Sequence, residues 1–316
     1  MRFRLLPAIA LALASCIFFS CGPRYERLGG YAQGGVYSVT YNTAGADLPR
    51  EELQRGVDSI LFTIDTTFSG YNKKSQLSRY NRGELDTPSH LFSETFELAK
   101  EFYELTGGVV NAGAAPLFDI WGFGFRNDSL PSPERVLQAM EESRDWHKIN
   151  YNSFAQGLSS DLVAAYLRSH GVTDMLVDIG EIYCCGLNPR GKGWTVGIDN
   201  PRDGNNSPGA ELRGVWCSDG ASCGIVTSGN YRKYYVVDGV KYSHTIDPRT
   251  GYPVTHDLCS ATVVAPTSAL ADAVATYCMV VGLEPARRFI LSLPNVEACL
   301  ISETETWSSD GFTFLQ

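Results

Sequence analysis

Residues 267–282 of this chain read Thr-Ser-Ala-Leu-Ala-Asp-Ala-Val-Ala-Thr-Tyr-Cys-Met-Val-Val-Gly. Wound as a helix, the segment is apolar on nearly every side, so any fold built from the chain must wrap it all round. Its one carboxylate, Asp272, is carried inside with it, where an unpaired charge costs several kcal/mol or neutralises itself. Thr276 stands four residues on and shares the same helical face. A carboxylate and a hydroxyl with room for waters or phosphate oxygens make an incomplete hard-cation site, of the kind magnesium accepts when a nucleotide completes it. The spacing is equally served by a local account, in which Asp272 favours the positive helix start and Thr276 bonds back to a carbonyl.

The rest of the chain must supply the wrapping. A β-like stretch covers 36–41, and helical periodicity runs over 51–67 through Leu53, Val57, Ile60, Leu61 and Ile64, returning over 91–105. Two further helices are predicted at 134–142 and 159–170, the second started by Ser159 or Ser160. Strands are predicted at 175–179, 194–198, 222–227, 234–237 and 261–264, ahead of a helix over 269–281. Helices and strands arrive in mixed order with no regular βαβ alternation, which places the chain in the α+β class. No repeat, low-complexity run or long linker interrupts it.

The N-terminal end predicts the compartment. Arg2 and Arg4 precede an apolar stretch over 5–19, broken by Pro7, that is too short and too early for a comfortable transmembrane helix and reads as an export signal over 1–20. A mature lipoprotein begins with a lipid-bearing cysteine. Cys21, followed by a polar tether over 21–27, suits that role better than Cys16, whose neighbours Ile17, Phe18 and Phe19 are apolar; a cleaved, unlipidated signal is the alternative. The main domain is expected over 28–316, facing the periplasm or cell exterior of a bacterium. A net charge of −9 and a pI near 5.1, with no basic stripe, argue against a nucleic-acid partner. Beyond the signal, Cys184, Cys185, Cys217, Cys223, Cys259, Cys278 and Cys299 are odd in number, lack zinc-ligand spacing and sit mostly among apolar residues. They read as buried free thiols, with one disulfide as the alternative.

Several short stretches are weak alone and specific in combination. They run Phe68-Ser69-Gly70-Tyr71, Ser75-Gln76-Leu77-Ser78-Arg79-Tyr80-Asn81, Thr106-Gly107-Gly108 with Pro116-Leu117, and Trp121-Gly122-Phe123-Gly124. Val177-Asp178-Ile179-Gly180, Asn188-Pro189-Arg190-Gly191-Lys192 and Thr227-Ser228-Gly229-Asn230-Tyr231 follow. His244-Thr245-Ile246-Asp247-Pro248-Arg249-Thr250-Gly251 and Ala271-Asp272-Ala273 with Thr276 complete the series. None carries a P-loop or dinucleotide fingerprint. In this order they resemble the ApbE-type FAD:protein FMN transferases, over almost the whole chain after residue 28.

The resemblance implies an α+β, T-fold-related, two-lobed arrangement of mixed sheets and helices around a flavin cleft. It implies magnesium-dependent transfer of FMN from FAD to a Thr or Ser of a membrane redox subunit, of the Rnf or Na+-translocating quinone reductase type, with AMP as the other product. On that pattern Asp272, Thr276 and the backbone carbonyl of Ser153 hold magnesium. Tyr71 matches the position that stacks on the flavin ring, and Gln33, Val109, Val110, Asn111, Asn150, Gln156 and Ile246 match other FAD contacts. Asp272 and His244 are the candidate catalytic residues, His244 positioning or deprotonating the acceptor hydroxyl. Asp247 either orients that group or shapes the turn. Where the family has an Asp at 111 and at 150 and a Lys at 156, this chain has Asn111, Asn150 and Gln156, and one glycine is missing beside Gly180. An FAD pyrophosphatase and a non-catalytic FAD-binding lipoprotein are the alternative readings.

Overall fold

The computed structural model describes residues 24–316 apart from 123–129, 203, 206, 208, 232, 233, 238, 239, 313 and 316. The export signal, Cys16, Cys21, Phe123 and Gly124 lie outside the described residues. In chain order the helices are α1 (Arg50–Phe68), α2 (Gln76–Tyr80), α3 (His90–Leu105), α4 (Ala115–Ile120), α5 (Pro133–Glu142), α6 (Ala155–Ser169), α7 (Ser268–Val281) and α8 (Leu283–Ser292). The strands are β1 (Tyr25–Ala32), β2 (Gly35–Asn42), β3 (Met175–Asp178), β4 (Ile182–Cys185), β5 (Thr195–Asp199), β6 (Leu212–Cys217), β7 (Cys223–Gly229) and β8 (Tyr234–Val237). They continue as β9 (Val240–Ser243), β10 (Ile246–Asp247), β11 (Tyr252–Pro253), β12 (Leu258–Ala265), β13 (Glu297–Ser302), β14 (Thr306–Ser308) and β15 (Phe314–Leu315).

An eight-stranded antiparallel sheet in the order β1-β2-β3-β4-β7-β12-β13-β14 forms the centre of an α+β fold. Both its faces are covered, because successive residues of one strand enter different cores. Tyr183 and Cys185 of β4 point into the core shared with α1, α3 and α6. Cys184 between them points to the opposite side, among Trp216 of the small β15-β6-β5 sheet and Trp194 and Phe312 beside it. In β13, Ala298 and Leu300 meet α7 and α8 while Cys299 and Ile301 meet the small sheet. A separate small core joins α4 and α5 to β10 through Leu117, Trp121, Val136, Ala139 and Ile246. Trp121 Nε1 ties it down by donating to the Gly251 carbonyl at 2.8 Å.

Most predicted elements form within a residue or two of their expected ends. Helix α6 differs: it begins at Ala155, ahead of Ser159 and Ser160, with no side-chain cap on its first turn. Those two serines are buried, their hydroxyls donating to the Ala155 carbonyl at 2.7 Å and the Glu181 carbonyl at 2.6 Å. They resemble caps in sequence because the same hydroxyl chemistry serves both roles. Strand β1 begins at Tyr25, so residues 25–27, read as tether, belong to the sheet. The seven cysteines of the described residues are free thiols, with Cys184 and Cys223 sulfurs 3.7 Å apart across β4 and β7. No helix among the described residues is long and apolar enough to cross a membrane.

Helix α7 reaches the sheet through glycine. A Cβ on Gly224 of β7 would run into the Ser268 backbone at the start of α7, and one on Gly157 of α6 into the Ser268 carbonyl. The apolar helix can be wrapped this tightly only where a neighbouring backbone has no side chain. We expect Gly224→Ala to lower stability by about 1–3 kcal/mol, read as a fall in urea midpoint. Gly35→Ala, where an added Cβ meets no atom within 4 Å, should leave the midpoint nearly unchanged.

Candidate functional site

Asp272 lies in the second turn of α7 and is 5% exposed. Its Oδ2 accepts the Gly157 N–H of α6 at 3.2 Å, a bond made possible by the close approach of the two helices. No Lys, Arg or His forms an ion pair with it among the described residues. Burial, set against the Gly157 N–H and assisted by the Asp161 charge, pushes its carboxyl up to about 7. Burial, with the Asp272 and Asp178 charges adding, pushes Glu181 well above the usual carboxylate range. Asp178 is raised by burial as well. Carboxylates from β3, α6, α7 and the β3–β4 turn thus crowd one region, which is an environment that favours a cation.

One turn beyond Asp272, the Thr276 hydroxyl donates to the Ser153 carbonyl at 3.5 Å. The fold therefore sets Thr276 against the Ser153 carbonyl in the loop before α6, with Asp272 one turn earlier on the same face of α7. These are oxygen donors that suit a hard divalent ion, and they fit magnesium in number and chemistry as a partial set. No group of three or more His, Cys, Asp or Glu side chains able to hold a metal occurs among the described residues. Any ion held here must take its remaining ligands from water or a bound phosphate.

The other expected contacts lie on the β1–β2 turn, the α1–α2, α3–α4 and α5–α6 loops, the first turn of α6 and β10. Gln33 and Gly34 form a two-residue turn between β1 and β2 with φ of 53° and 82°. Gln33 Nε2 donates to Ser159 Oγ of α6 at 2.6 Å, fixing the hairpin tip beside that helix. Asn111 accepts the Gly113 N–H at 2.8 Å, and the Asn150 N–H donates to the Ala112 carbonyl at 2.9 Å, which joins those two segments. Exposed Gln156 reaches back to the Ile179 carbonyl at 3.5 Å, over the turn made by Gly180. Tyr71 is 82% exposed, leaving a wide aromatic face open to solvent. Val109, Val110 and Ile246 are buried, so only their backbone groups could meet a ligand.

His244 is half-buried just ahead of β10, and β10 packs against α7. The turn that follows is set by Asp247, whose Oδ1 accepts the Arg249 N–H at 2.9 Å while its two oxygens take Arg249 Nε and Nη2 at 2.9 and 2.8 Å. Asp247 therefore shapes the turn, its carboxylate engaged by Arg249. Sequence reasoning missed the Gly157 amide, Asp161 and the carboxyl of Glu181. Only an apolar helix with a lone buried acid hinted that such partners had to exist.

The chain matches the model of the ApbE family over residues 34–300. It is 32% identical to the FAD:protein FMN transferase of Vibrio cholerae, covering 96% of this chain and 94% of that one. It is 30% identical to the FAD:protein FMN transferase of Haemophilus influenzae with the same coverage. Among solved structures it superposes on the flavin transferase ApbE from Vibrio cholerae with a TM-score of 0.77 at 28% identity, covering 91% of this chain and 98% of that chain. The apo form of Pseudomonas stutzeri flavinyl transferase ApbE gives 0.78 at 27% identity, with coverage of 91% and 95%. Fold, site and relatives together define an enzyme of the transferase class. The chain belongs to the ApbE family.

Because the Asp272 pKa is raised above its ordinary 3.8, the protonated form favours folding. That contribution is full below 3.8 and is lost as pH rises through about 7. In EDTA at pH 8, we expect Asp272→Asn to be more stable than the parent by about 1–3 kcal/mol, and the difference to shrink at pH 5 on its way to zero below 3.8. Denaturant midpoints at the two pH values check this.

Proposed function

We propose that this protein transfers FMN from FAD to a Ser or Thr hydroxyl of a flavin-accepting redox subunit at a bacterial membrane, in a magnesium-dependent reaction that releases AMP. Its lipid anchor at Cys21, or Cys16, would hold it on the exported side. The observation that carries the reading is the buried Asp272 without a cationic partner among the described residues, one turn from the contact between Thr276 and the Ser153 carbonyl. When bound there, magnesium supplies charge neutralisation for the FAD diphosphate.

The chain's own residues supply binding and placement. Tyr71 offers a ring face to the isoalloxazine, and the Gln33 turn, the Asn111 and Asn150 segments and Gln156 form polar walls around it. With neutral side chains at 111, 150 and 156, these contacts are hydrogen bonds without added charge. His244, held on the β10 side of α7, receives the proton of the acceptor hydroxyl as its oxygen attacks the FMN phosphorus and AMP leaves. The acceptor oxygen, the phosphorus and the departing AMP oxygen must stand in line, which assigns the protein a positioning task rather than covalent chemistry.

Purified protein incubated with FAD, magnesium and a candidate acceptor domain tests the reading, with mass analysis of the acceptor and assay of AMP. FMN on a Ser or Thr with equimolar AMP is expected. AMP without acceptor modification would identify a hydrolase, and intact bound FAD without AMP a binding protein. Asp272→Ala is expected to abolish magnesium-dependent AMP release, and His244→Ala to lower the turnover by about 100-fold or more while FAD still binds. Tyr71→Ala should weaken FAD binding by about 1–3 kcal/mol, measured by flavin fluorescence titration.

A further inference from the structure

Asp161 lies on α6 one turn past Gly157, and nothing in the transfer reaction uses it. Its Oδ1 accepts the Ser268 N–H at 2.8 Å and its Oδ2 accepts the Ala269 N–H at 2.9 Å, both at the start of α7. In the opposite direction, Asp272 of α7 accepts the Gly157 N–H of α6 at 3.2 Å. The two helices therefore hold each other through reciprocal carboxylate–amide bonds, and the position of one along the other is fixed.

The first amides of a helix carry its positive end and attract phosphate groups. In α7 all four are taken: Ser268 and Ala269 by Asp161, Leu270 by the Thr267 hydroxyl at 3.2 Å, and Ala271 by the Thr267 carbonyl at 3.1 Å. The α7 start is therefore already closed by the Asp161 carboxylate. The next side-chain oxygens along α7 are those of Asp272 and Thr276.

We propose that Asp161 is a positioning residue that closes the α7 N-terminus to phosphate and sets α7 against α6, so that Asp272 and Thr276 stand opposite the Ser153 carbonyl. The proposal rests on the reading of Asp272 and Thr276 as cation ligands. It requires that loss of Asp161 weaken the use of magnesium while leaving the metal-free flavin contacts in place. It also requires that a bare α7 N-terminus attract phosphate.

The test compares the full protein with Asp161→Asn and Asp161→Ala. Three quantities are measured: the magnesium concentration giving half-maximal AMP release, FAD affinity in EDTA by flavin fluorescence, and protection of the Ser268 and Ala269 amides against hydrogen exchange by inorganic phosphate. The expected result is a rise in the magnesium midpoint of about tenfold for Asp161→Ala, less for Asp161→Asn, which keeps one acceptor oxygen. FAD affinity in EDTA should not change, and phosphate should slow exchange at the two amides in Asp161→Ala alone. A folded Asp161→Asn or Asp161→Ala protein with the parent magnesium midpoint and no phosphate protection would overturn the proposal. If the parent enzyme shows no magnesium dependence and Asp272→Ala behaves like it, the cation-site reading fails first, which is a separate outcome.

Discussion

The close approach of α6 and α7 is the constraint on which the rest of the architecture depends. An apolar helix carrying one acid can be buried only if that acid finds a donor, and the donor here is the backbone of Gly157. That bond needs the two helix backbones nearly in contact, which in turn demands glycine at 157 and at 224, where α7 meets the sheet. The same approach leaves Asp272 compensated by one N–H and no cation among the described residues. A helix pair arranged in this way is stable enough to fold and still short of positive charge. Binding of a cation would relieve the deficit that folding leaves.

Much of this was legible in the sequence, and the parts that were not share a physical cause. The amphipathic helices α1, α3 and α5 have one wet face, so their periodicity stands out. Strands β4 and β13 were missed because both faces of the central sheet are covered; Cys184-Cys185 and Ala298-Cys299-Leu300-Ile301 are buried in succession and show no alternation. The start of α6 was missed because its first turn lacks a cap and contains Gly157, a poor helix former whose presence is explained only by a neighbour far away in sequence. At the site, Asp272 and Thr276 were visible as a helical spacing. Asp161 was not, since a carboxylate in the middle of an ordinary helix reads as a solvated charge until another helix start is placed against it.

Two of the departures that the sequence suggests from the family pattern, at Gln156 and at the Gly180 turn, lie together. Gln156 stands where the resemblance implies a lysine, and its amide rests over the tight turn at Gly180. Gly180 takes a φ of 94°, and its N–H donates to Asp178 Oδ1 at 3.1 Å, so the loop closes. The two positions are therefore neighbours: a tight turn next to a neutral side chain. Burial raises the carboxyls of Asp178 and Glu181 above the usual range, and no charge at position 156 offsets it.

Coverage of the central sheet on both sides also governs where this scaffold can change. A residue added within β4, β7, β12 or β13 would rotate its successors from one core to the other, turning two interiors inside out at once. Insertions and losses are thereby channelled to the rim, into the loops between strands and helices. Those loops carry Gln33, Tyr71, Asn111 and Asn150. The stiffness of the middle thus makes the edge the natural ground for acquiring new acceptors.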